Sequence, residues 1–255
     1  MLKQDFPILE YDSDKDAFIR PERLLAPLDV SERAVICFFS DAIEKVLKEY
    51  PHKIVTNMRG EGLTLPVYEI DYNGNNIVLI QAIPGAPQAA GHIDIMTAYG
   101  CKKFIACGGC GVLQKDIAVG HLIIPVSAVR DEGTSYHYVP PSREISMNLR
   151  SVQAIEETLK ENQAPYIKAK TWTTDAIFRE TTAKIQLRKE EGCVTVEMEA
   201  SAFMAVAEYN GVDFGQIFYA GDSLAGEAWD AREWSRREDI REAVLKLALD
   251  ACIKL

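Results

Sequence analysis

Lys103-Phe104-Ile105-Ala106-Cys107-Gly108-Gly109-Cys110-Gly111 is the stretch whose reading decides the fold. Its first half is a short, unbroken apolar run, the pattern of a strand buried on both faces. Its second half has almost no side-chain bulk. It predicts either a tight turn or a loop whose backbone N–H groups can approach an anion or a ribose. In α/β sheets ligands bind outside the carboxyl ends of strands, so this exit is a first place to look for a site.

Outward from it, strand and helix signals alternate. Upstream, Ala34 to Phe39 reads as another buried strand. Asp41 and Glu44 predict a capping box for a helix ending near Tyr50-Pro51. Residues 66–71 and 76–80 flank Asn73-Gly74, a strong hairpin signal. Residues 89–99 read as a helix stopped by Gly100. Downstream, residues 121–124, 126–129, 166–171 and 194–196 read as strands, and residues 148–159, 182–190 and 199–209 as helices, the last closed by Gly211. Gln216 to Ala220 is a strand that enters Gly221-Asp222, and an amphipathic helix runs from Arg236 to the end. The alternation predicts one α/β domain over residues 1–255 with a largely central sheet, residues 1–30 forming an amino-terminal extension.

Composition narrows the function classes. Lys plus Arg number 28 against 38 Asp plus Glu, a net charge of −10. That balance gives no electrostatic footprint for nucleic acid or an anionic membrane surface, although one local loop can still hold an anionic substrate. No run approaches the ~20 apolar residues of a membrane helix, and the amino terminus lacks a signal-peptide pattern. The six cysteines are expected to be reduced thiols, and the protein cytoplasmic.

Several short motifs fail on inspection. Cys107-x-x-Cys110 has no second cysteine pair for a zinc site, and Cys107 ends a strand rather than opening a helix, so apolar packing is expected. A dinucleotide fingerprint starting at Gly109 fails at Gln114. Gly221-Asp222-Ser223-Leu224 imitates an esterase block, but no His follows His137, so the serine lacks a base. His52, His92, His121 and His137 show no metal-ligand spacing; no metal and no cofactor are expected, and His137 reads as a partly buried structural residue. Glu197-Met198-Glu199 is more informative. Two carboxylates two apart at a strand-to-helix junction cannot share a helical face. In one reading Glu199 is a helix-start carboxylate and Glu197 faces solvent. In the other Glu199 accepts hydrogen bonds from adjacent sugar hydroxyls.

Together, Ile83 to Gln88 (IPGAPQ), Phe104 to Leu113 (FIACGGCGVL), Val194 to Ala200 (VTVEMEA) and Ala220-Gly221-Asp222 resemble the uridine/purine nucleoside phosphorylase family. The order and spacing match from about Val35 to the end, and the E-M-E-A segment after a V-x-V strand is the most specific motif. The resemblance implies a central mixed β-sheet flanked by helices and cleavage of an N-glycosidic bond, with phosphate as co-substrate. By position it implies that Glu197, Met198 and Glu199 hold the ribose, that Phe178 (or Ile177) packs on the base, and that Gly108 and Gly109 lie beneath phosphate and ribose. Asp222 matches the Asp that purine-directed members use on the leaving base. It can donate a proton only if its surroundings keep one on it.

Three departures stand beside the match. Ala106 replaces an Arg, Gly109 replaces a Ser or Thr, and Phe38-Phe39-Ser40-Asp41 replaces a Gly-Asp-Pro loop, so three usual phosphate contacts are missing. Arg59, in the region from which relatives donate an Arg across a subunit interface, is the expected replacement, with Arg179 the other candidate. The resemblance also implies a homo-oligomer, dimer or hexamer. Phosphorolysis of a purine-like nucleoside is the leading expectation. A hydrolytic nucleosidase on the same fold and a non-catalytic nucleoside binder are the alternatives. Trp229 and Trp234 are expected either to line the base pocket or to pack in the interior.

Overall fold

In the structure, a computed structural model that describes residues 2–255, the sheet is organised around one strand. The strands are β1 (Arg33–Cys37), β2 (His52–Arg59), β3 (Thr64–Tyr72), β4 (Asn75–Gln81), β5 (Lys103–Val112), β6 (Leu122–Asp131), β7 (Glu144–Ser146), β8 (Tyr166–Thr174), β9 (Cys193–Glu197) and β10 (Asp213–Ser223). The helices are α1 (Pro21–Leu24), α2 (Ser40–Glu49), α3 (Ala86–Tyr99), α4 (Leu149–Glu161), α5 (Thr182–Glu190), α6 (Ala200–Asn210) and α7 (Glu238–Lys254).

β5 pairs with β1 in parallel from Lys103 to Cys107, and with β10 in parallel along its other edge. Past the end of β1 it takes a third partner, β9, which runs antiparallel opposite Gly111 and Val112. Because β10 also pairs with β6, β6 with β8, and β8 with β9, five strands close a ring. From β5 the open arm continues through β1 and β4 to the antiparallel strands β3 and β2 at the edge. The sheet is mixed, as expected. α3 and α6 pack on each other, while α7 lies across β1, β5 and β10 and against α2 and α4.

Most local expectations hold. Asn73 and Gly74 both adopt positive φ and join β3 to β4, and Gly100 ends α3 in the left-handed conformation. All six cysteines are free and buried, and burial pushes the Cys110 thiol well above its ordinary range, as packing predicts. Four expectations are corrected. The glycine run is neither turn nor loop: β5 continues through it to Val112, and Gly108, Gly109 and Gly111 do not have positive φ. Close approach explains them instead, since a Cβ on Gly111 would meet Leu224 at 2.8 Å and Val196 at 3.0 Å. The capping box does not form, because the cap position of α2 is Phe39, two residues before Asp41, and no side chain caps the helix. His137 is exposed rather than partly buried. β2 replaces what the sequence left without an element, because its residues are mostly polar and exposed on an edge.

Gly215 on β10, nearer the start of the strand than Asp222, is a further point of close approach. A Cβ there would meet Ile105 and Ile155 at 2.9 Å and Ser151 at 3.0 Å. Gly215→Ala should therefore destabilise by about 1–3 kcal/mol through overpacking, read as a lower denaturant midpoint with an unchanged slope.

Candidate active site

Where β1 has ended and β9 has not begun, Gly108 and Gly109 have no strand neighbour on one edge. A cleft of about 730 Å³ opens there and runs to Gly221-Asp222. It brings together Gly108, Gly109, Phe178, Glu197, Met198, Glu199 and Asp222, every site residue expected from the sequence except Arg59. Arg59 stands exposed at the end of the edge strand β2 and does not line the cleft of its own chain; neither does Arg179.

At one end, the β9-to-α6 junction sets the two glutamates apart. Glu197 ends β9 and is buried, contrary to the solvent-facing reading. Its Oε1 accepts from the hydroxyls of Thr173 at 2.7 Å and Thr171 at 3.3 Å. Its Oε2 accepts from the backbone N–H groups of Glu199 and Ala200, both at 2.7 Å. Four donors fill the lone-pair sites of one carboxylate, so Glu197 caps α6 and has no capacity left for a sugar hydroxyl. Behind it, the Thr173 hydroxyl also accepts from the Ser201 N–H at 3.0 Å, and the Ser201 hydroxyl donates to Glu132 at 2.9 Å. The expected role of Glu197 on the ribose is thereby corrected to support of its neighbour.

Glu199 occupies the position before α6 but does not cap it. Its Oε1 accepts from the Gly85 N–H at 2.6 Å, and its Oε2 has no protein partner among the described residues. Burial, and then the charge on Glu197, push the Glu199 carboxyl up to about 8. Burial raises Glu197 as well, against the opposing pull of its hydrogen bonds. Sequence spacing revealed the pair but not which member was consumed, because that depends on Thr171 and Thr173 from β8.

At the other end, the Trp229 indole N–H donates to Asp222 Oδ2 at 2.7 Å. Trp229 and Trp234 both line the cleft, which settles their alternative expectations in favour of the pocket. Phe178 is 94% exposed at the rim, on a short turn of Ile177–Arg179. Two lining residues escaped the sequence reading. Glu180, two beyond Phe178, has its carboxyl raised to about 7 by burial and by the charge on Asp222. Arg241 projects from the first turns of α7. It lies three and four residues before Val244 and Leu245, on the stripe that α7 buries, where an amphipathic pattern reads as packing and gives no signal of a site.

The described chain has wide likeness to known proteins. Residues 32–254 match the model of the phosphorylase superfamily. The purine nucleoside phosphorylase DeoD-type of Aliivibrio fischeri is 25% identical over 236 residues, covering 90% of this chain and 96% of that one. The crystal structure of uridine phosphorylase from Vibrio fischeri ES114 superposes with a TM-score of 0.76 at 21% identity, covering 89% of this chain and 93% of that one. AMP nucleosidase from Bacteroides thetaiotaomicron superposes with a TM-score of 0.71 at 22% identity, over 88% and 87% of the two chains.

The glutamate pair sets a pH dependence. In the unfolded chain Glu199 loses its proton near 4.5, but in the folded chain it keeps it to about 8. The folded state therefore binds more protons across that window, and its stability falls as pH rises through it. Glu199→Gln removes this loss. Its melting temperature relative to wild type should rise by more than about 2 °C between pH 5 and pH 8 in thermal unfolding.

Proposed function

The chain belongs to the phosphorylase superfamily, and on that premise we propose that it cleaves the N-glycosidic bond of a purine-like nucleoside with phosphate as acceptor. The carrying observation is the single cleft that holds Glu199, with one oxygen free of protein partners, and Asp222 beside Glu180, with Phe178 at the rim for the base.

The chemistry follows from charge. Departure of the base leaves positive charge on the sugar and negative charge on the heterocycle. Glu199, with Met198 beside it, holds the ribose and stabilises the first; Asp222 and Glu180 meet the second. A phosphate oxygen over Gly108 and Gly109 forms the new bond to C1′ as the C1′–N bond breaks and its electron pair leaves with the base. A proton from the carboxyl pair passes to the base nitrogen, and the products are free base and sugar 1-phosphate. Phosphate is a co-substrate here, and the reaction asks for no cofactor. We assign the protein to nucleoside salvage in the cytoplasm, supported by six free, buried thiols. We further assign it to a homo-oligomer, dimer or hexamer, in which Arg59 reaches a neighbouring cleft. Sedimentation as a monomer would reject that assignment.

One observation favours water as the acceptor: five carboxylates and a single cation line the cleft, a poor environment for a dianion. Base release with and without phosphate decides between the two. Dependence on phosphate, with sugar 1-phosphate formed, supports phosphorolysis; equal release in phosphate-free buffer supports hydrolysis.

Glu199→Gln and Asp222→Asn should each lower kcat/KM by roughly 10²-fold or more. Wild-type rates in both variants would reject the site. If the carboxyl pair supplies the proton, the rate falls as pH rises past about 7, the pKa of Glu180, and Glu180→Gln flattens that limb of the pH profile.

A further inference from the structure

Among the described residues, the cleft contains one Lys or Arg side chain, Arg241, against Asp41, Glu180, Glu197, Glu199 and Asp222. The guanidinium is held in the wall over two aromatic rings. It lies 5.6 Å from the Phe39 ring centroid and 5.8 Å from that of Trp234, and the side chain is 14% exposed. One terminal nitrogen donates to Asp41 Oδ2 at a long 3.3 Å, and Nε is buried without a hydrogen-bond partner. An arginine carries five N–H donors, and leaving one buried and unmatched is costly. The Tyr219 hydroxyl also faces the guanidinium and, with Asp41, supports its charge. The side chain is thus fixed in place by packing and by these two neighbours, with Nε still unmatched among the described residues.

The surroundings are those of an anion site. Ser40 and Asp41 begin α2, a ten-residue helix whose first N–H groups no side chain caps, and both residues line the cleft. The macrodipole of α2 and its open amides favour negative charge at this point. Gly108 and Gly109 form the adjoining wall. The obstacle is Asp41, which competes for Arg241 and repels a dianion.

We propose that Arg241, with Ser40 and the first amides of α2, binds a phosphate group in this end of the cleft, displacing Asp41 from the guanidinium. Free phosphate and the phosphate ester of a nucleotide share this chemistry. The assignment rests on the reading of the cleft as a nucleoside site, but it is tested by binding rather than turnover. Arg241 takes over the work left by Ala106 and Gly109, which carry no polar side chain. It does so from α7, a different element.

Isothermal titration of the intact protein with inorganic phosphate, and separately with a nucleoside and its 5′-monophosphate, reads the site directly. For Arg241→Met the affinity for the phosphate group should fall by 10-fold or more, while nucleoside affinity stays within about 2-fold. Asp41→Asn should move the other way and tighten phosphate binding several-fold. A purely structural Arg241–Asp41 pair would instead make both variants less stable without opposite effects on affinity. Binding of inorganic phosphate alone identifies the free ion as the ligand; a gain only for the monophosphate over the nucleoside identifies the ester. If neither form of phosphate distinguishes wild type from Arg241→Met, the proposal is overturned. Loss of phosphate-dependent turnover with phosphate binding intact would instead overturn the phosphorylase reading alone.

Discussion

Everything in the cleft depends on one strand changing partners. β5 cannot pair with β1 and β9 on the same edge at the same place, so a gap separates Cys107, opposite Cys37, from Gly111, opposite Val196. The gap is bounded by the ring of β5, β10, β6, β8 and β9, which brings β9 to β5 only at Gly111 and Val112. Small residues are required on both sides of it. A Cβ on Gly108 would press on the Phe38 ring at 3.1 Å, and one on Gly111 would strike Leu224. The glycines serve the crossing of chains more than any freedom of φ, and the binding surface follows from the crossing.

The electrostatics of the cleft follow from which carboxylates are already satisfied. Glu197 spends all its acceptor capacity on two threonine hydroxyls and two backbone amides, so its charge is stabilised without ligand. Glu199 has less hydrogen-bond support, from backbone amides alone, and sits beside that charge, so its proton is held tightly until something else supplies hydrogen bonds. A sugar with two adjacent hydroxyls provides what the protein withholds. An acid-rich wall also stabilises positive charge developing on a sugar far better than it stabilises an incoming anion. That asymmetry makes the isolated cation Arg241 consequential.

Much of this was legible from the chain. The strand-to-glycine and strand-to-Gly221-Asp222 exits marked both ends of the cleft, because buried parallel strands announce themselves as unbroken apolar runs. Glu199, Asp222 and Phe178 were placed by motif, and all three line one space. Three things were not legible, each for a physical reason. The continuation of β5 through its glycines depends on β10 lying alongside, a pairing between residues more than a hundred positions apart. The fate of Glu197 depends on threonines of β8 that no local spacing connects to it. Arg241 was hidden by helical amphipathicity: in a helix that buries Val244, Leu245, Ala248 and Leu249 and carries many charges besides, one cation at the head of the stripe does not stand out.

The position of Asp222 rests on a loop that stores strain. Arg232 and Glu233 are consecutive non-glycine residues with φ of 46° and 51°, a conformation that costs on the order of 1–3 kcal/mol per residue unless its surroundings enforce it. The enforcement is visible. The Arg232 guanidinium donates to the carbonyls of Ile117 at 2.7 Å, Gly221 at 2.8 Å and Asp222 at 3.0 Å, tying the loop to the strand that carries the carboxylate. The left-handed pair turns the chain so that Trp234 comes back to the cleft wall, where its carbonyl accepts from the Tyr219 hydroxyl at 3.1 Å. Trp229, before the turn, reaches Asp222 from the other side. Three charge-assisted hydrogen bonds offset the backbone cost, and the result is a carboxylate that accepts from the Trp229 indole.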